Sequence, residues 1–182
     1  RAAFVAVSDS KQVAVLVPTT LLAMQHEASF TKRFENFPYI RIASVSRLKS
    51  KSQIKRTLDE LASGKLDIII GTHRVLSKDI EFKDLGLLII DEEQRFGVAH
   101  KERLKTLKIN TDALTLSATP IPRTLQLAML GLRDISTIKT PPLNRQSIKT
   151  IVSQRNNTTI YEAIHNELAR GGQVFFLHNR VQ

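Results

Sequence analysis

Two carboxylates that follow directly on four aliphatic residues, in Leu87-Leu88-Ile89-Ile90-Asp91-Glu92, are the residues of this sequence best suited to chemistry. Hard oxygen ligands suit a hydrated Mg²⁺ held beside a nucleotide, and a second acid next to them can orient and deprotonate an attacking water. With Asp91 in the metal shell and Glu92 as the base, the pair supplies what nucleoside triphosphate hydrolysis needs from one side of a pocket. The competing reading is a strand that ends in a solvated acidic turn. The elements on either side of the pair decide between the two.

An apolar run this short, closed by charge, predicts a strand buried on both faces of a parallel sheet. Ligands of open α/β sheets bind beyond the carboxyl ends of the strands, so such a strand delivers Asp91 and Glu92 to the crevice. Other turns share that position. Val13 to Val17 reads as a buried strand stopped by Pro18, with Thr19 or Thr20 capping a helix that runs through Phe34. The turn Pro18-Thr19-Thr20 therefore combines a strand's carboxyl end with the free N–H groups of a helix start, a setting that favours phosphate. Ile40 to Val45 is the next strand, and Lys51 to Ala62 a helix closed by Gly64. Leu66 to Ile70 is a further strand and leads into Gly71-Thr72-His73, where the same anion-binding logic applies. His73 has no metal-binding partner at ligand spacing and reads as a polar turn residue. Downstream, a charged helix is expected from Val98 to Leu107, then a strand from Asp112 to Leu116 that ends in Ser117-Ala118-Thr119. A helix from near Pro122 through Met129 and a strand from Arg133 to Ile138 complete this part. Ser117 and Thr119 lie where hydroxyls could sense the acids and pass their state to a neighbouring surface.

The composition changes at Lys139-Thr140-Pro141-Pro142, which reads as a linker. Beyond it the pattern restarts, with a strand at Ile148 to Val152, a helix at Asn157 to Ala169 closed by Gly171-Gly172, and a strand at Val174 to Leu177 that leads into His178-Asn179-Arg180. The expected organisation is a first domain over 1–139, a linker over 140–146 and the start of a second domain over 147–182.

The charge balance is one-sided. Lys plus Arg is 27 against 17 acids, a formal charge of +10, and between Arg41 and Arg56 six basic residues occur with no acid. An excess of that size points to a polyanion such as nucleic acid, and the basic run is either a solvated face or part of a backbone-binding surface. Absence of cysteine excludes disulfide frameworks and thiolate metal sites. No apolar run reaches membrane-spanning length and no leader opens the chain, which leads to the expectation of a soluble cytoplasmic protein without a membrane partner.

Taken in order, Pro18-Thr19-Thr20, Gly71-Thr72-His73, Asp91-Glu92-Glu93-Gln94, Ser117-Ala118-Thr119 and the strand ending at His178-Asn179-Arg180 resemble motifs Ia, Ib/Ic, II, III and the start of IV of superfamily 2 helicases and translocases. Phe82 to Val98 and Ala118 to Leu125 look like the branch that contains RecG and the bacterial transcription-repair coupling factors. Ser46-Arg47, His100 to Lys105 and Gly131-Leu132-Arg133-Asp134 are more similar to the coupling factors. The resemblance implies a RecA-like α/β fold with a parallel sheet flanked by helices, followed by the first β-α-β unit of a second RecA-like domain. It implies ATP and Mg²⁺ as cofactors, Asp91 as the magnesium-site acid and Glu92 as catalytic base. Gln94 stands where many members have His and would link the nucleotide site to Ser117 and Thr119 by hydrogen bonds, although Gln cannot titrate. Pro18, Thr19, Thr20, Gly71, Thr72 and His73, with Asn179 and Arg180 from the second domain, would touch the backbone of double-stranded DNA. The implied activity is ATP-driven duplex translocation that displaces stalled RNA polymerase and hands the site to nucleotide-excision-repair proteins. RecG-type branch migration is the alternative within the branch, and a non-hydrolysing DNA-binding or interaction module is the alternative outside it.

One motif of such motors is missing. No G-x-x-x-x-G-K-[ST] loop occurs in the 182 residues. The family keeps that loop ahead of a helix whose tail Arg1 to Val7 would form, so the expectation is an internal piece of a motor, inactive as an ATPase by itself.

Overall fold

A computed structural model describes residues 1–97, 104, 106–107, 111–118, 134–140 and 148–178. The chain divides into two compact units, Arg1–Ile135 and Ser136–Gln182.

The first unit is built on a five-stranded sheet. Its strands are β1 (Gln12–Leu16), β2 (Ile42–Val45), β3 (Ile68–Gly71), β4 (Leu85–Asp91) and β5 (Asp112–Leu116), paired in the order β2-β3-β1-β4-β5 with every neighbour parallel. Side chains alternate across a strand, so an unbroken aliphatic run supplies both faces at once. Val13, Val15, Ile68, Ile70, Leu87 and Ile89 pack on one face with Ala3 of α1 (Ala2–Ser8) and Ala23 of α2 (Thr20–Arg33). Ala14, Leu16, Ile69, Leu88 and Ile90 pack on the other with Leu61 of α3 (Lys51–Ala62), Val75 and Leu104. Most of these residues are fully buried, as the two-faced reading of their runs requires.

Local chemistry sets where the elements start and stop. Thr19 is the N-cap of α2, its Oγ1 accepting from the Leu22 N–H at 3.2 Å. Ser50 and Gln53 form a capping box on α3, with Gln53 N donating to Ser50 Oγ at 3.2 Å and Ser50 N to Gln53 Oε1 at 2.9 Å. After α3 the chain turns at Gly64, whose φ of +77° is open to glycine at little cost. Below the sheet, the buried Gln12 amide donates to the carbonyls of Leu61 (2.8 Å) and Leu66 (2.9 Å), and its oxygen accepts from Asp84 N (3.0 Å). One side chain thus joins the α3–β3 loop to the entry of β4.

The expected helix at 98–107 is described only at Leu104, Thr106 and Leu107, which are helical; the helix expected from Pro122 through Met129 and most of the 140–146 linker lie outside the described residues. In the second unit α4 (Asn157–Ala169) forms as expected, capped by the Asn156 side chain, which accepts from Thr158 N at 2.9 Å.

The strands expected at 148–152 and 174–177, and the described residues 134–138 of a third, are not strands. A strand exists through its ladder, and these segments pair with no neighbour among the described residues. Their apolar side chains are correspondingly open, with Val152 94% and Phe175 100% exposed. Of the expected β-α-β unit, the helix is what the described residues form.

Candidate functional site

All five strands are parallel, so every strand-to-helix turn of the first unit falls at one edge of the sheet. Register brings the turns level. Leu16 pairs with Gly71 and with Ile90, Val45 pairs with Gly71, and Asp91 pairs with Leu116. The edge therefore carries Pro18-Thr19-Thr20 after β1, Ser46-Arg47 after β2, Thr72-His73 after β3, Asp91-Glu92 at the end of β4 and Ser117 after β5.

Asp91 continues the alternation of Leu87 and Ile89, which sets it on the face that carries α1 and α2. Its Oδ2 lies 3.5 Å from Nε2 of His26, a residue of α2. Glu92 leaves the strand in the left-handed region, φ 52° and ψ 53°, which is unusual for a residue with a side chain. Its N–H donates to Leu116 O at 2.9 Å, tying the end of β4 to the end of β5, and the chain continues as a 3₁₀ turn over Glu93–Arg95. Strained backbone that is held by its surroundings is a feature of functional sites. Gln94 Nε2 donates to Glu92 Oε2, and Ser117 Oγ donates to Gln94 Oε1 at 3.5 Å. Gln94 thus spans from the acid to the hydroxyl with both halves of its amide, the bridging that an amide offers in place of an imidazole.

The remaining expected site residues differ in exposure. Thr19 and His73 are exposed, Pro18 and Thr20 are half-buried, and Gly71 and Thr72 are buried. His73 opens a 3₁₀ turn, His73–Leu76, for which Thr72 is the N-cap. Gly71 is required by packing: a Cβ there would lie 2.7 Å from Val45 O and 2.7 Å from Val75 Cγ2. Thr119, Asn179 and Arg180 lie outside the described residues.

The basic run is less uniform than its sequence suggests. Lys49 Nζ sits 2.8 Å from Glu27 Oε1 on α2, and Glu27 also accepts from Ser44 N (3.0 Å) and Ser44 Oγ (2.6 Å). Partial burial pushes the Glu27 carboxyl up, but the hydrogen bonds from Lys49 and Ser44 and the Lys49 charge outweigh it and hold the group below the ordinary carboxylate range. Arg56 lies 3.8 Å from Glu60 one helical turn on, whereas Arg41, Arg47, Lys51 and Lys55 are exposed.

His26 and Glu27 are the residues that motif reading passes over. A signal for His26 was present: it falls three residues after Ala23 and four before Phe30, on the stripe of α2 that faces the sheet, where a polar residue is out of place. Glu27 had no such signal, because its partners come from β2 and the loop beyond it.

The donors at the end of β4 fit Mg²⁺. They are carboxylate oxygens, and among the described residues no group of three or more metal-binding side chains forms a cage. Mg²⁺ beside a nucleotide is held by one or two carboxylates, water and phosphate oxygens, and does not need such a cage. Asp91 is the residue that would hold the ion's shell.

A parallel five-stranded α/β sheet with its strand-to-helix turns gathered at one edge is the RecA-like fold of helicases. Residues 2–128 match the DEAD/DEAH box helicase family, and the chain belongs to that family. Nucleotide and Mg²⁺ dependence is general in it. Over all 182 residues the chain is 58% identical to a transcription-repair-coupling factor of Bacillus subtilis (strain 168), and equally to that of Staphylococcus aureus (strain USA300). It spans 15% and 16% of the length of those relatives. Among solved structures, RecG bound to a three-way DNA junction matches with a TM-score of 0.67 at 35% identity, over 89% of this chain and 22% of that one. These similarities agree with the RecG and coupling-factor branch that the motifs resemble. Among the described residues no helix is long and apolar enough to cross a membrane.

Proposed function

We propose that the chain is part of an ATP-driven double-stranded DNA translocase that acts in transcription-coupled repair by displacing stalled RNA polymerase. Its 58% identity to the coupling factors, against 35% to RecG, favours this reading over branch migration. The observation that carries it is the acid pair at the end of β4 with the Glu92–Gln94–Ser117 bridge beside it. Bound Mg²⁺ would neutralise phosphate charge, with Asp91 holding its water shell. Glu92 orients the attacking water and takes its proton, and Gln94 aims the Glu92 carboxylate while keeping contact with Ser117; Thr119 is assigned to the same coupling role as Ser117.

Pro18, Thr19, Thr20, Gly71, Thr72 and His73 form the DNA-tracking edge of the first domain, over 1–139. After a linker at 140–146, a second domain opens at 147, from which Asn179 and Arg180 would touch the DNA backbone. Contacts from turns and backbone N–H groups read phosphates and not bases, which suits a motor that runs over any sequence.

The test uses the full-length gene product. Glu92→Gln should cut ATP turnover at least about a hundredfold, the scale of general-base loss, with duplex binding retained. Unchanged turnover would show that Glu92 is not the base. Displacement of a stalled polymerase by the wild-type protein, set against migration of a branched junction, separates the two activities. Branch migration without displacement would favour the RecG-type function.

A further inference from the structure

We propose that His26 is a positioning residue for the magnesium-site acid, holding the Asp91 carboxylate in the orientation that receives the hydrated ion. This inference rests on the reading of Asp91 as that acid. The imidazole is carried by α2, which is anchored at both sides of it. Thr19 caps the helix start at the DNA-facing edge, and Glu27, the next residue, is fastened to β2 and Lys49 through Ser44 N, Ser44 Oγ and Lys49 Nζ. The ring is half-buried beside Phe30, with centroids 6.3 Å apart, so packing limits its rotation. Its Nε2 faces Asp91 Oδ2 at 3.5 Å. Mg²⁺ prefers oxygen ligands, so an imidazole in this place acts on the carboxylate and not on the ion. A ligating carboxylate that is steadied by a neighbouring imidazole loses fewer orientations when it takes up the metal's water shell, and loss of an outer partner of a ligand typically weakens metal binding 10- to 100-fold. The arrangement also joins the nucleotide edge to the start of α2, since the helix capped at Thr19 is the one that touches Asp91.

The experiment titrates Mn²⁺, the paramagnetic substitute for Mg²⁺, into the full-length gene product with a non-hydrolysable ATP analogue and reads bound ion by electron paramagnetic resonance. His26→Ala and His26→Phe should each weaken Mn²⁺ binding about tenfold or more, whereas His26→Gln, whose amide N–H reaches a similar point, should stay within about threefold of wild type. Phe keeps the ring packed against Phe30, so it reports on the lost N–H even where Ala unsettles α2; thermal melts verify that each variant is folded. Duplex affinity should be the same in all of them. Wild-type Mn²⁺ affinity in His26→Phe, or equal weakening in His26→Gln and His26→Phe, would overturn the proposal. Asp91→Asn run alongside keeps the two readings apart. If it abolishes Mn²⁺ binding while His26→Phe does not weaken it, the positioning role alone fails; if Asp91→Asn binds Mn²⁺ normally, Asp91 is not the metal acid and both readings fall.

Discussion

Glu27 shows how much one charged side chain can organise when its partners are close and its solvent partly excluded. It accepts from a backbone N–H, a hydroxyl and an ammonium, and these hold its carboxyl below the ordinary range despite burial. A group whose folded pKa is lowered adds stability that is present above its unfolded pKa and lost as pH falls through the folded value. Glu27→Gln should therefore cost about 1–2 kcal/mol at neutral pH, a charged hydrogen-bond loss. The gap between wild type and variant in urea unfolding should close as pH drops below about 4.3, the ordinary glutamate value. A gap that persists at low pH would mean that shape and not charge makes the contribution. Gly71 argues from space instead. Because an added methyl meets the Val45 carbonyl and the Val75 side chain at 2.7 Å, Gly71→Ala should destabilise by about 1–3 kcal/mol, the usual cost of overpacking. Thermal melts check it, and a neutral result would require β2 and the 3₁₀ turn to move apart without cost.

Among the elements, α3 is the one whose stability depends most visibly on local chemistry. Its capping box satisfies two otherwise orphaned N–H groups, so Ser50→Ala should cost about 1 kcal/mol, read as a lower urea midpoint with unchanged slope. An unchanged midpoint would mean that Leu61 burial and the Gln12 bonds to Leu61 and Leu66 hold the helix without help from its cap. Strands behave differently from helices. The helix α4 forms from its own hydrogen bonds and the Asn156 cap, whereas the apolar segments at 148–152 and 174–177 stay open because no described residue supplies their ladder.

For the whole molecule, the charge of +10 and the missing phosphate loop make opposite predictions about two ligands. Residues 1–182 should show no ATP turnover in a phosphate-release assay, with or without DNA, because Asp91 and Glu92 alone cannot hold β- and γ-phosphates in place. The exposed Arg41, Arg47, Lys51 and Lys55 do not depend on that loop, so weak duplex binding without sequence preference should remain. Its affinity should fall steeply with salt, as each neutralised phosphate releases condensed counterions. Fluorescence anisotropy with unrelated duplexes at several salt concentrations measures this. Sequence-selective binding with a flat salt response would remove the backbone-tracking role.

Much of the fold was legible in the residues themselves. Unbroken aliphatic runs such as Val13 to Leu16, Ile68 to Ile70 and Leu87 to Ile90, short and closed by turn residues or charge, suit burial on both faces of a parallel sheet, and parallel strands send all their turns to one edge, which is why Asp91, Gly71, Thr19 and Ser117 meet there. Caps at Thr19 and Ser50 and the turn at Gly64 were equally readable, since each is a contact within a few residues of chain. What the tertiary structure alone decided are contacts between residues far apart in sequence: His26 against Asp91, Glu27 against Ser44 and Lys49, and Gln12 against Leu61, Leu66 and Asp84. Periodicity says which face of an element is buried, but not which partner the packing of two elements sets opposite a given side chain. For the same reason the apolar runs at 148–152 and 174–177 read as strands yet are not: a strand's hydrogen bonds belong to its neighbour, and no local pattern can supply one.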